Sequence, residues 1–411
     1  MKKVLFVSFD LIRENDPKKS LSVASILALL KNDECLRSKY EFDHLSVNVH
    51  AGESWREKTG AVKFSDYSFI AISAYIWNRS STNEFLEYLR CVGFSGSVIL
   101  GGYQIAGGSL EEYKTRYPHA DIFVEGYAEN ALLNLLAEDD PSANIPKIIK
   151  TKLKPDVLIS PFLSGEINIT QGMEMLRFET KRGCPYSCSF CRHRDVINNT
   201  VYALDKNRII RELDLFISMG VKKINIVDPV FHIKNYKEIL PEMISLCKRR
   251  QTKTRFTLQC QLDFIARNGG EFLNLCKQGD FILELGLQTC DEKISALINR
   301  KFNMTAVETA LETLRDSGIK HEITMIYGLP GQTLAGFTKG MEFLKKKCRD
   351  SNCEIKAYPL LLLPGTQLYA EKEKYNFEES ENTDGLNIPH VVSSNSFSYN
   401  DWQKMKEIAD G

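Results

Sequence analysis

Three thiols lie within eight residues, in the run Lys181-Arg182-Gly183-Cys184-Pro185-Tyr186-Ser187-Cys188-Ser189-Phe190-Cys191. Their spacing is Cys-x3-Cys-x2-Cys. Cysteine is often only a small buried apolar residue, and positions i, i+4 and i+7 share one helix face. Gly183 and Pro185 argue against a helix, since proline lacks the amide donor that a helix needs. A loop instead lets the three thiols converge on one centre. Structural zinc takes four ligands, and no second close pair with zinc-type spacing exists; Cys348 and Cys353 are the nearest pair elsewhere. Three soft thiolates suit an iron–sulfur centre with one iron left open to a non-protein ligand.

The composition sets the frame for that centre. Eleven cysteines, an odd number, are spread over 411 residues, which is unlike a short, cysteine-dense disulfide scaffold. Lys+Arg and Asp+Glu both number 53. That balance gives no pull toward nucleic acid or an anionic membrane. Apolar residues make up 43% and charged residues 26%, as in ordinary globular proteins. Lys2 and Lys3 precede an apolar run over 4–9, but it ends at Asp10, too short for a signal-peptide core. No apolar run approaches the roughly 20 residues of a membrane span. The expectation is a cytoplasmic protein with reduced thiols and neither a nucleic-acid nor a membrane partner.

The elements that must position the thiols read as α/β throughout. Over 1–140, strand-like runs at 4–9, 45–49, 69–73, 98–100 and 121–124 alternate with helical patterns at 21–30, 82–91 and 129–136. Glycine-bearing turns follow several strands, as in a doubly wound parallel sheet of Rossmann-like type. Ligands bind such sheets at the strand carboxyl ends, which here carry Tyr75, Gly101, Gly102, Tyr103 and Gly126. Residues 141–172 hold several prolines and little periodicity, so they read as a surface linker. Over 173–370, strands at 173–180, 223–228, 255–259, 281–286, 322–327 and 354–361 alternate with helices at 206–219, 234–249, 270–277, 291–299, 304–316 and 334–347. Six β/α units make a partial, open TIM-type barrel rather than the closed eight. A short polar segment, 371–411, follows, with an acidic run at Glu378-Glu379-Ser380-Glu381.

With Phe190 before the last thiol, Cys184, Cys188 and Cys191 resemble the signature of the radical S-adenosylmethionine (SAM) enzymes. The resemblance implies a [4Fe–4S] cluster on the three cysteines, SAM on the open iron, and hydrogen abstraction from substrate by a 5′-deoxyadenosyl radical. It also implies oxygen sensitivity and a reducing electron donor of flavodoxin or ferredoxin type. Motifs along the barrel agree. Asp228-Pro229-Val230-Phe231 ends the second strand, where the family contacts the SAM amino group, often through backbone. Gln259 and Gln261 flank the end of the third. Glu284-Leu285-Gly286-Leu287-Gln288 is similar to the E-x-G-x-Q of the coproporphyrinogen oxidase-like subgroup, and Arg300 stands at the offset of that subgroup's carboxylate-binding arginine. Guanidinium suits bidentate carboxylate pairing. Ile326-Tyr327-Gly328-Leu329-Pro330-Gly331-Gln332-Thr333 resembles the motif near the adenine, and Leu363-Pro364-Gly365-Thr366 the next. Many relatives have an acidic residue at Thr324. Read without the family, Glu284 and Arg300 are ordinary structural charges, and Gly328, Pro330 and Pro364 shape turns.

The amino-terminal part resembles the cobalamin-binding subgroup of that superfamily. The matches are Ala74-Tyr75-Ile76-Trp77-Asn78, Leu100-Gly101-Gly102-Tyr103, the run from Asp121 through Gly126 to Glu129, and Ser160-Pro161-Phe162-Leu163-Ser164-Gly165. Glycine at Gly101, Gly102 and Gly126 lets backbone approach a planar macrocycle. The D-x-H-x-x-G pattern with a cobalt-ligating histidine is absent; His44, His50 and His119 lack its context. Tyr75 and Trp77 are either core aromatics or cofactor-facing. The resemblance implies a cobalamin-dependent methyltransferase acting on a small molecule or peptide. The alternatives are a cobalamin-assisted rearrangement, cyclisation or C–C bond formation, a radical enzyme without cobalamin, and a non-catalytic iron–sulfur electron carrier. Methylthiotransferases would bring extra amino-terminal cysteine ligands, where this chain offers only Cys35 and Cys91.

Overall fold

The computed structural model describes residues 1–193, 200–380 and 388–411. The chain forms two compact units, one through Ile169 and one from Thr170 onward.

The first unit is a six-stranded parallel sheet in the order β2-β1-β3-β4-β5-β6. Its strands are β1 (Lys2–Asp10), β2 (Tyr40–Asn48), β3 (Phe69–Ser73), β4 (Ser97–Gly101), β5 (Ile122–Gly126) and β6 (Lys147–Thr151). Its helices are α1 (Leu21–Asn32), α2 (Glu34–Lys39), α3 (Trp55–Thr59), α4 (Arg79–Cys91), α5 (Leu110–Arg116) and α6 (Ala128–Ala137). Strands buried on both faces need apolar residues at successive positions, and Val4 to Val7 of β1 are all buried. Val4 and Phe6 face a core with Leu27 and Leu132 of α1 and α6. Leu5 and Val7 face another with Trp55, Phe85 and Tyr113 of α3, α4 and α5. The sheet is doubly wound. The stretch expected as a linker contains β6, which pairs with β5 from Ile122↔Lys147 to Gly126↔Thr151. An edge strand needs only one hydrogen-bonded side, and Ile148 and Ile149 each pack on one of the two cores. The first unit therefore runs past residue 140.

The second unit is a parallel sheet in sequence order, β14-β13-β12-β11-β10-β7. The strands are β7 (Met175–Phe178), β10 (Lys223–Ile226), β11 (Arg255–Cys260), β12 (Asp280–Gln288), β13 (Lys320–Tyr327) and β14 (Cys353–Pro359). A short antiparallel pair, β8 (Lys181–Arg182) and β9 (Tyr202–Ala203), brackets the cysteine run. The helices are α7 (Lys206–Ser218), α8 (Tyr236–Arg250), α9 (Leu262–Cys276), α10 (Glu292–Leu297), α11 (Met304–Ser317) and α12 (Leu334–Lys347). This is the partial (β/α)6 barrel. One helix begins eight residues before its expected start at 270: α9 opens at Leu262 and runs through Gly269-Gly270. A side chain at Gly269 would come within 2.9 Å of Thr313 on α11, so glycine there permits close helix packing.

The tail is structured too. After α13 (Gln367–Ala370) it holds β15 (Glu378–Ser380) paired with β16 (His390–Ser393), and α14 (Tyr399–Asp410). Val391 donates its amide to Leu360 O at 2.9 Å, and Trp402 is buried beside Tyr327 and His390. Glu381 of the acidic run lies outside the described residues.

Candidate active site

The cysteine run leaves β7 through a buried latch. The Thr180 amide donates to Asp228 Oδ1 at 2.7 Å, and the Lys181 amide at 3.2 Å. The Thr180 hydroxyl donates to Asp228 Oδ2. Lys181 Nζ lies 3.5 Å from that oxygen and donates to Phe231 O at 2.9 Å. Neither charged side chain has exposed surface. Burial pulls the Lys181 ammonium down and pushes the Asp228 carboxyl up. Asp228 was expected to bind cofactor. The contact expected at this strand end is often through backbone, and the Asp228 carboxylate itself is held inside the protein, fastening the start of the cysteine loop.

The loop is held from several sides. Ser189 N donates to Ile298 O at 2.9 Å and Leu368 N to Ser189 O at 2.9 Å. Asn299 donates from Nδ2 to Ser187 O at 2.8 Å, at a left-handed φ of 50° that asparagine tolerates. Cys184 is buried; Cys188 and Cys191 are half-buried. Burial pushes the Cys184 thiol up to about 11 and raises Cys191, with the neighbouring thiols adding to both and Arg300 opposing. Three thiols this close to one another and to a guanidinium fit a cationic iron cluster, which removes their protons outright. Among the described residues, no three His, Cys, Asp or Glu side chains gather round a single ion-sized point. A cluster instead takes each thiolate on a different iron.

Strand β12 presents its motif by alternation. Phe281, Leu283, Leu285 and Leu287 are buried, while Ile282, Glu284, Gly286 and Gln288 lie on the other, less buried face. Arg300 joins this strand to the loop: Nη2 donates to Gly286 O at 2.6 Å and Nη1 to Cys188 Sγ at 3.4 Å. A side chain at Gly286 would collide with Gln288 Nε2 and lie 3.2 Å from Arg300 Nη2. Gln288 sits at a strand irregularity with φ 74°. Its Oε1 is buried and has no hydrogen-bond partner, which costs free energy unless a ligand supplies a donor. Gly286, Gln288, Arg300 and Cys188 are thus brought together.

The other barrel residues divide. Gln259 donates to Glu284 Oε2 at 3.3 Å, and burial, then Glu322, pushes the Glu284 carboxyl up. Glu322 is taken by Lys356 at 2.5 Å and by Thr324 at 3.3 Å. Gln261 caps α9 without a side-chain cap bond. The Ile326 carbonyl accepts from Gln332 Nε2 at 3.2 Å, and Gln332 Oε1 accepts from Gly328 N at 2.8 Å. Gln332 therefore fastens the loop after β13. Lys181 and Gln332 stand inside the sequence motifs with no role attached to them there, and Asn299 precedes Arg300; a polar residue beside a glycine-rich turn or cysteine loop is the available signal.

In the first unit, the connections change direction between β1 and β3, where such sheets bind ligands. Trp77 Nε1 donates to Phe9 O at 3.1 Å. Asn78 donates to Ser73 O at 2.8 Å and Phe9 O at 3.2 Å, and accepts from Tyr75 N at 2.8 Å. Tyr75 and Trp77 stack at 4.4 Å, 5° from parallel, with Tyr103 edge-on to Tyr75 at 6.0 Å. Tyr75 and Trp77 are half-buried and Tyr103 is exposed, so the aromatics sit at the sheet's rim and not in its core. Gly102 has φ 101°, and a side chain there would come within 2.6 Å of Ala74 O. Gly126 has φ 86°. Gly101 has only ordinary contact, 3.7 Å from Val124 Cβ. His44 is hydrogen-bonded to Ser8 Oγ at 2.9 Å, and burial pulls it down to about 4.

Residues 178–344 match the family model of the radical SAM superfamily. The chain is 21% identical over 400 residues to a 2-(S-pantetheinyl)-carbapenam-3-carboxylate methyltransferase of Streptantibioticus cattleyicolor, covering 83% of this chain and 56% of that protein. It is 23% identical over 329 residues to the cobalamin-dependent radical SAM methyltransferase TokK of Streptomyces tokunonensis, covering 73% and 47%. The chain thus spans about half the length of these relatives. The solved structure of the cobalamin-dependent SAM radical enzyme OxsB, with aqua-cobalamin and SAM bound, superposes with a TM-score of 0.71 at 15% identity, covering 99% of this chain and 66% of that one. The three-cysteine loop and the partial barrel thus lie where residues 178–344 match the radical SAM superfamily model, and the chain, with a doubly wound domain before that barrel, shares the fold of OxsB.

Proposed function

We propose that the protein is a cobalamin-dependent radical SAM methyltransferase acting on an unactivated position of a small molecule or peptide. The observation that carries the reading is the Arg300 bridge between Cys188 and Gly286, beside the unpartnered Oε1 of Gln288. An electron carrier has no use for a guanidinium and an unsatisfied amide next to its cluster. A cosubstrate with a carboxylate and an amino group uses both. Cys184, Cys188 and Cys191 would hold the cluster, and Arg300 and Gln288 the cosubstrate. Tyr75, Trp77 and Tyr103 offer a flat apolar surface where a corrin would lie. When bound, a reduced cluster supplies SAM with one electron for hydrogen abstraction from substrate, and cobalamin carries the methyl group that replaces the hydrogen. Both curated relatives carry methyltransferase names, which favours methyl transfer over rearrangement. The reductant would be of flavodoxin or ferredoxin type, and the reaction would run in the reducing cytoplasm.

The test is anaerobic reconstitution with iron, sulfide and hydroxocobalamin, followed by desalting. The expected protein retains corrin absorbance and, with dithionite and SAM, forms 5′-deoxyadenosine. No product above a Cys184→Ala control rejects the radical reading. Product without retained corrin rejects the cobalamin and methyl-transfer part alone.

A further inference from the structure

The inner face of the barrel sheet carries carboxylates that have cationic partners in the protein, with one exception. Phe178 of β7 is edge-on to Phe216 of α7 at 5.2 Å, so Phe178 and the residues level with it point to the helices. The alternate positions point inward. Register defines that inward set: Arg177 is level with Asn225 and Asn225 with Thr257, Gln259 with Glu284, Glu284 with Glu322, and Glu322 with Glu354. On this face Asp280 is paired with Arg255 at 3.0 Å, and Lys356 serves Glu322 at 2.5 Å and Glu354 at 3.3 Å. Arg177 is engaged as well. Among the described residues, the Glu284 carboxylate has no cation against it; it only accepts from Gln259 Nε2, at Oε2 and 3.3 Å. Lys223 is level with Arg255 and Asp280, four residues back from Glu284, or about 13 Å along the strands.

Two further acceptors stand one layer below Glu284 on the neighbouring strands. Thr257 is 3% exposed, and its Oγ1 has no hydrogen-bond partner. Asn225 donates from Nδ2 to Met175 Sδ at 3.0 Å. A thioether sulfur only accepts, which fixes the orientation of that amide. Its Oδ1, buried and without a partner, is therefore an acceptor. Neighbouring strands lie about 4.8 Å apart and successive inward residues about 6.6 Å apart, so these side chains border one space. A half-buried carboxylate without a counter-charge and two orphaned acceptors all cost free energy. The partner they lack carries positive charge and several donors and needs no acceptor, which describes a primary ammonium. Water would satisfy the acceptors but not the charge. Solvent reaches this face: Val227, two residues beyond Asn225, is 36% exposed, and Tyr358, two beyond Lys356 on the edge strand β14, is 49% exposed.

We propose that Glu284, with Asn225 Oδ1 and Thr257 Oγ1, binds a primary ammonium group of the substrate. This names a substrate class for the methyl transfer proposed above and rests on that reading. The Glu284 carboxylate supplies the counter-charge through Oε1, and the two orphaned oxygens accept the remaining N–H bonds. Glu284 stands one inward position below Gly286, whose carbonyl accepts from Arg300. A substrate anchored there by its ammonium extends up the same face toward the end of the barrel that carries Arg300 and Cys188.

The test titrates the cluster-loaded protein with n-butylammonium, n-butanol and butyrate, followed by ligand-observed NMR. Butylammonium should bind about tenfold more tightly than butanol, as a hydrogen bond to a charged group allows, and butyrate more weakly than either. Glu284→Gln should erase the preference for the ammonium. Thr257→Val, close in shape, should weaken butylammonium about fivefold. Without ligand, Glu284→Gln should unfold at a higher urea midpoint than the wild type, because it removes a charge that has no partner. Saturating butylammonium should then close the gap by stabilising the wild type. A lower midpoint for ligand-free Glu284→Gln, with the ammonium preference intact, makes Glu284 a structural charge and overturns the proposal. Butanol bound by the wild type as tightly as butylammonium also overturns it. Displacement of butylammonium by equimolar potassium chloride overturns the substrate class, the site then being one for a metal ion. None of these readouts needs turnover. Formation of 5′-deoxyadenosine without ammonium selectivity rejects the anchor alone, and selectivity without 5′-deoxyadenosine rejects the radical reading alone.

Discussion

Arg300 spends one guanidinium on two tasks, bracing Cys188 and capping the Gly286 carbonyl. Arg300→Met should leave iron content intact, because the three thiols still ligate, but raise KM for SAM. Losing a charge-assisted hydrogen bond costs roughly 1.5–3 kcal/mol, so KM should rise about 10- to 100-fold. Loss of iron with unchanged KM in the surviving fraction would make Arg300 a prop for the loop only. Gly286→Ala tests the neighbouring contact. Its methyl group would push Gln288 aside and crowd Arg300, so cosubstrate affinity should fall about tenfold with little change in unfolding midpoint, the displaced atom being a flexible amide end. Much of this site was legible in the sequence, since cysteine spacing and a strand followed by a helix fix where Gln288 and Arg300 stand. Asp228 was legible as a strand-end residue, but its direction was not. Its partners Thr180 and Lys181 come from the far side of a crossover, and no local pattern encodes that meeting.

At the level of elements, the Lys181–Asp228 pair joins β8 to the end of β10 with both charges out of water. Removing one partner strands the other charge, which typically costs 3–5 kcal/mol, while removing both costs far less. Asp228→Asn and Lys181→Met should each lower barrel stability by about that amount, and the double variant should recover a large part. Urea unfolding followed by Trp402 fluorescence checks this, since Trp402 is buried in the same unit. Additive losses in the double variant would reduce the latch to two independent contacts. The elements misread from sequence share one cause: tertiary packing overruled a local signal. The helix expected at 270–277 starts at Leu262 and runs through Gly269, whose missing side chain leaves room for Thr313 of α11. The stretch containing β6 reads as a linker, yet its five residues complete a sheet. The tail reads as polar, yet Trp402 and Met405 turn one face of α14 into a buried contact.

At the scale of the whole molecule, each unit carries a histidine held neutral inside it. His44 in the first and His232 in the second are both pulled down to about 4, mainly by burial. Lys19 and Lys31 add to the effect at His44 while Glu166 opposes it, and Lys181 and Arg267 add to it at His232, which stacks on Phe264 at 4.4 Å. A histidine whose folded value is depressed binds its proton more readily when unfolded. Its stabilising contribution is therefore complete above its ordinary value of 6.5 and is lost as pH falls toward 4. For His232, 7% exposed, the loss should be on the order of 2–3 kcal/mol; for the more accessible His44 it should be smaller. The tryptophans separate the units, Trp55 and Trp77 lying in the first and Trp402 in the second. Urea midpoints at pH 7 and pH 5 should fall for both reporters, using Trp402→Phe to observe the first unit and Trp55→Phe/Trp77→Phe the second. His232→Gln should flatten the pH dependence seen by Trp402 and leave the other intact, with His44→Gln doing the reverse. If either substitution flattened both transitions, the two units would unfold as one cooperative body, and the two histidines would then act on a single shared stability.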